Sequence, residues 1–133
     1  MAFVVDNSVV IAWFVGSQAT AYTNRLRERA RREALHAPAV WPLEFVNTLW
    51  SLQRRRLMRA HQVDEIIDKA VRLGVTVHGE PVGLASLLGL ARQFTLSSYD
   101  ASYLELAQRL GLPLAAKDAP LIAAAKRAGV LLA

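Results

Sequence analysis

Apolar residues follow two rhythms along the chain. Short runs at Ala2 to Val5, Leu35 to Ala37, Val75 to Val77, Leu114-Ala115 and Val130 to Leu132 have the length and composition of strands. Between them apolar positions recur at helical spacing, over Val9 to Val15, Gln18 to Arg32, Leu43 to Arg56, Gln62 to Arg72, Pro81 to about Phe94, Tyr99 to Leu110 and Ala119 to Ala128. Ser98 reads as the N-cap of the helix from Tyr99, and Pro81 suits the start of the helix before it. Breaks are short, at Gly16-Ser17, Pro38, Gly79 to Pro81 and Gly111 to Pro113. Strands alternating with helices imply βαβ crossovers, hence an α/β fold with a mainly parallel sheet covered on both faces. A chain of 133 residues without a linker is expected to form one domain over 1–133.

One charge breaks the first apolar run: residues 3 to 14 read FVVDNSVVIAWF, with Asp6 where the first strand should end. In open α/β sheets ligands bind outside the carboxyl ends of the strands. Asp118 follows the Leu114-Ala115 run in the same way, while Glu44 and Asp100 fall in the first turns of their helices. Any one of these acids is explained by the helix dipole and free N–H groups. Asp64, Glu65 and Asp68, with Lys69 and Arg72 four residues on, show such a solvated face. Asp6, Glu44, Asp100 and Asp118 differ because three of them enter apolar surroundings, where an unpaired charge is costly. If they converge, two carboxylates about 4 Å apart repel by about 4 kcal/mol at an effective dielectric of 20. Either a proton or a divalent cation must offset that, and an all-oxygen donor set suits Mg²⁺ or Mn²⁺. His36, His61 and His78 lack ligand spacing, which disfavours zinc.

Composition adds limits. Cysteine is absent, so disulfides and thiolate metal sites are excluded and a reducing, cytoplasmic setting is expected. No stretch reaches the roughly 18 uncharged residues of a spanning helix, so no membrane association is expected. The net charge is +5, and 13 of the 16 cations are arginine, which suits an anionic partner such as RNA. Glu44, Asn47, Ser51 and Arg54/Arg55 form a polar stripe on one helix, leading from the acids toward Arg54, Arg55 and Arg56. A second cluster, Arg25 to Arg32, is as well explained by a solvated face.

VVDNSVVIAWF, WPLEFVNTLW, LSSYDASYLELAQRLGLPLAAKD (96–118) and the terminal AGV together resemble, in order, a PIN domain of the VapC toxin ribonuclease type. The resemblance implies a three-layer α/β/α fold with about four to five short strands. It implies a metal-dependent endoribonuclease using the residues at Asp6, Glu44, Asp100 and Asp118, with the cation on Asp6, Asp100 and Asp118. It also implies a homodimer and a VapB-type antitoxin that blocks the pocket. Ser8 matches the family's D-x-S pattern and is expected to hydrogen-bond within the carboxylate cluster or cap a helix. Asn47, three residues after Glu44, could orient that carboxylate. The chain departs from the family at Ala116-Lys117-Asp118, where T-x-D is usual; Lys117 could meet phosphate or pair with Asp118. Leu49, Trp50 and Leu52 offer apolar area for a dimer or antitoxin. Two other readings stand beside this one: a degenerate PIN-like module that binds RNA or a partner, and, ranked last, a phospho-acceptor or phosphatase with Asp6 as nucleophile.

Overall fold

The computed structural model describes residues 1–133 and contains four strands and seven helices. Strand β1 (Ala2–Val5) is buried along Phe3, Val4 and Val5 because it has a neighbour on each side. Helix α1 (Asn7–Phe14) follows with no loop, since Asp6 ends the strand in extended conformation and accepts from the Val9 N–H as N-cap. A single 3₁₀ turn, Gly16–Gln18, separates it from α2 (Ala21–Arg29), which starts later than its apolar spacing predicts. The physical reason is Thr20, whose hydroxyl accepts from Thr23 N–H while the Thr23 hydroxyl accepts from Thr20 N–H, fixing the start there.

Strand β2 (Ala34–Pro38) and helices α3 (Val40–Arg54) and α4 (Ala60–Arg72) lead to the short edge strand β3 (Thr76–His78). Helices α5 (Leu84–Phe94) and α6 (Ser98–Leu110) then return the chain to β4 (Leu114–Ala115), and α7 (Ala119–Arg127) follows. The N-cap of α6 is Ser97, not Ser98: Ser97 is extended and its hydroxyl accepts from Asp100 N–H at 3.1 Å. The run at 130–132 pairs only through Leu131, beside Leu114. Leu114 nonetheless has both backbone groups bonded there, to Val130 O and Leu132 N.

All pairings are parallel and the order is β3-β2-β1-β4. Right-handed crossovers then carry α1 to α4 over one face, where they pack on one another, and α5 to α7 over the other. One apolar cluster of 27 buried residues fills both interfaces, from Phe3 and Leu49 to Tyr103 and Leu121. From β1 the chain proceeds outward through β2 to β3 and comes back to β4 on the far side of β1. The β1/β4 junction is therefore the switch point at which an open parallel sheet leaves a crevice.

Candidate active site

Asp6 and Asp118 stand at that crevice, one after β1 and the other after β4. The Asp6 N–H donates to Ala115 O at 3.1 Å, so the β1–β4 pairing itself sets their spacing. Glu44 reaches in from the first turns of α3 and Asp100 from the first turn of α6. All four carboxylates line one cavity of about 490 Å³, together with Ser8, Arg55, Tyr103 and Lys117. The four acids singled out in the sequence thus share one cavity.

The four are held differently. Asp6 is only 2% exposed, yet its carboxylate accepts from Val9 N–H at 3.0 Å and from the Ser8 hydroxyl at 2.9 and 3.0 Å. Its pKa is raised to about 7, chiefly by burial and less by the charges of Asp118 and Asp100, against the opposing pull of those two donors. Glu44 is half-buried and accepts from the Tyr103 hydroxyl at 2.6 Å. Burial raises its pKa, the Tyr103 donor opposes this, and Asp100 and Asp118 add repulsion. Asp100 is also raised, by burial and then by Asp118. Asp118 is exposed at the cavity rim. None of the four carboxylates forms an ion pair with a lysine, arginine or histidine. With four carboxylates against Arg55 and Lys117, the cavity is acidic on balance, and its carboxylate oxygens match a hard divalent cation. As the side chains stand, no three acidic or histidine groups are close enough together to hold one ion.

The remaining expectations divide. Ser8 bonds Asp6 as the D-x-S pattern suggests. Asn47 is exposed and outside the cavity, and Tyr103 instead bonds Glu44. The reason is helical phase: residue 48, at i+4, faces inward, and the Thr48 hydroxyl donates to Glu44 O while accepting from the Asn7 amide. Of the three arginines only Arg55 lines the cavity. Arg54 lies over the Trp50 ring at 5.6 Å, and Arg56 is turned outward with φ at 59°. Lys117 lines the cavity but donates to Gln18 at 3.0 Å and forms no ion pair with Asp118. The Ala116 side chain is fully buried and faces a separate apolar cavity with Tyr22 and Ile122. Tyr103 and Thr48 were not identified from the sequence. The signal for Tyr103 was its position three residues after Asp100, on the same helical face, where its apolar ring hid the polar tip.

A model of the PIN domain family matches residues 3–127. The chain belongs to the PIN domain family. Among curated proteins, this PIN domain is 38% identical to Ribonuclease VapC3 of Mycobacterium tuberculosis over 95 residues, 70% of the chain. It spans 66% of the length of that relative. Ribonuclease VapC3 of Pyrobaculum aerophilum is 28% identical over 120 residues, 89% of this PIN domain and 90% of the relative. Among solved structures, PAE2754 from Pyrobaculum aerophilum superposes with a TM-score of 0.66 at 25% identity, covering 93% of this PIN domain and 79% of that chain. The VapC-type resemblance and the α/β fold with its parallel sheet both hold.

Proposed function

We propose that this PIN domain is a Mg²⁺- or Mn²⁺-dependent endoribonuclease, the toxin of a toxin–antitoxin pair. The observation that carries the reading is the meeting of Asp6, Glu44, Asp100 and Asp118, all without basic partners, in one cavity at the switch point of a parallel sheet. A divalent cation there would offset the mutual repulsion, lower the pKa of a water and stabilise the charged phosphoryl transition state. Asp6, Asp100 and Asp118 would hold it. Ser8 and the Val9 N–H fix the Asp6 carboxylate, and the Tyr103 hydroxyl fixes Glu44, which would orient a water beside the cation. Arg55 and Lys117 offer positive charge for the scissile strand's phosphates. Hydrolysis by water leaves 5′-phosphate and 3′-hydroxyl ends.

The partners of this reading are RNA, a VapB-type antitoxin and a second copy of the chain, in the cytoplasm. No helix is long and apolar enough to cross a membrane. A second reading, a catalytically weak module that binds RNA or a partner, is favoured by the ungrouped carboxylates and by Ala116 in place of a hydroxyl. Cleavage of end-labelled structured RNA in Mg²⁺ or Mn²⁺ against EDTA, beside an Asp6→Asn variant, decides between them. Metal-dependent cutting absent from the variant supports the nuclease. Binding without cutting selects the module, and cutting that survives both EDTA and the variant rejects this site.

A further inference from the structure

A second charged surface lies at the opposite end of the sheet. Helices α2 and α4 run into the starts of β2 and β3, so their C-termini sit at the amino ends of the strands, away from the acids. There Arg27 of α2, Arg31 in the turn that follows it, and Lys69 and Arg72 of α4 line one concavity of about 420 Å³. The other two lining residues are Ala30 and Leu73, and no carboxylate contributes. Basic residues in a helix's last turn are individually explained by the dipole, at about 0.3–1 kcal/mol each. That does not explain why cations of two helices share one hollow, where they repel one another. Arg31 has a loose, exposed contact to Glu28 at 3.5 Å, while Lys69 and Arg72 have no ion-pair partner. Arg27 is fixed by its own packing, its guanidinium 5.7 Å from the ring centres of Trp13 and Phe14.

We propose that this concavity is a second RNA-contact site, taking backbone phosphates of a strand whose scissile bond lies in the acidic cavity. With four cations and only Ala30 and Leu73 as apolar lining, it lacks the aromatic anchors of a protein-docking groove and matches phosphate. The inference rests on the nuclease reading for its choice of RNA, but it is read by binding. Such contacts are sequence-independent and release counterions.

The test is fluorescence anisotropy of labelled structured RNA in EDTA over a salt series, comparing wild type with the Arg31→Gln/Lys69→Gln/Arg72→Gln variant. Arg27 is left in place because it packs against the core. Because three phosphates then go without a cation, the slope of log K against log salt becomes shallower by about 2 to 3, at about 0.7–0.9 per phosphate. The melting temperature stays within a degree or two of wild type because the three side chains are on the surface. An unchanged slope overturns the site even if the protein cuts RNA normally. Polyglutamate that binds the wild type but not the variant, while the RNA salt slope is the same in both, overturns RNA in favour of an acidic protein. A shallower slope in a protein that never cuts in Mn²⁺ retains the site and rejects the nuclease reading.

Discussion

Asp6 simultaneously follows the last residue of β1, caps α1 and forms a wall of the acidic cavity. Those roles conflict in the free protein, because a buried carboxylate is stabilised when it keeps its proton. With the folded-state pKa raised from 3.8 to about 7, the folded state holds a proton that the unfolded state has released between those values. Stability contributed by this group is therefore complete below about pH 4 and lost as pH rises toward 7 and beyond. In chelator, Asp6→Asn should melt higher than wild type at pH 8, and the gain should disappear near pH 4, as thermal denaturation across that range will show. A gain independent of pH would sink this account. Tyr103→Phe removes the 2.6 Å bond to Glu44. On the proposed function it lowers kcat by about tenfold or more, at about 1.5–3 kcal/mol for a hydrogen bond to a charged group, and changes KM little. A change confined to KM would assign Tyr103 to substrate binding. At this scale the sequence exposed the acids because each breaks an apolar pattern. It concealed Tyr103, whose ring belongs to the core and only whose hydroxyl reaches the cavity. Asn47 was misassigned because i+3 and i+4 both share a face with Glu44, and only packing chooses between them.

Elements were legible wherever apolar spacing and a breaker agreed, as in β1, α4 and α7. Capping chemistry decided the ends that spacing left vague. Ser97 and Ser98 are adjacent serines with equal propensity, and the extended conformation of Ser97 selects it. This gives a paired test at the helix that presents Asp100. Ser97→Ala costs about 1 kcal/mol, and frees the Asp100 N–H from its acceptor, so both melting temperature and RNA cleavage should fall. Ser98→Ala, one residue further into the helix, should leave both near wild type. Equal effects from the two would move the helix start. The 130–132 run reads as a strand, yet β4 has only two residues to offer, so pairing contracts to one bridge at Leu131.

For the whole molecule, the expected apolar surface is real but differs in membership. Leu49 is fully buried and belongs to the core, whereas Leu43, Val46 and Trp50 are 72%, 54% and 49% exposed, a stripe at i, i+3 and i+7 on α3. A second copy of the chain covering this stripe is the proposed dimer. Sedimentation at micromolar concentration should give twice 14.6 kDa, falling to one chain in Val46→Asp. A wild-type monomer would reject it. Fold class followed from alternation alone; assembly did not, because an exposed apolar stripe names no partner.

The pairing of β1 with β4 joins Val4 to Leu114, positions far apart in the sequence. On a ribosome that adds about 5–20 residues per second, β1 emerges and then waits on the order of 5–20 s before its neighbour exists. Until then Asp6 and Asp118 cannot face each other, so the pocket is completed only late in synthesis. On the proposed function, a chain stalled short of β4 would lack Asp118 and be unable to cleave RNA.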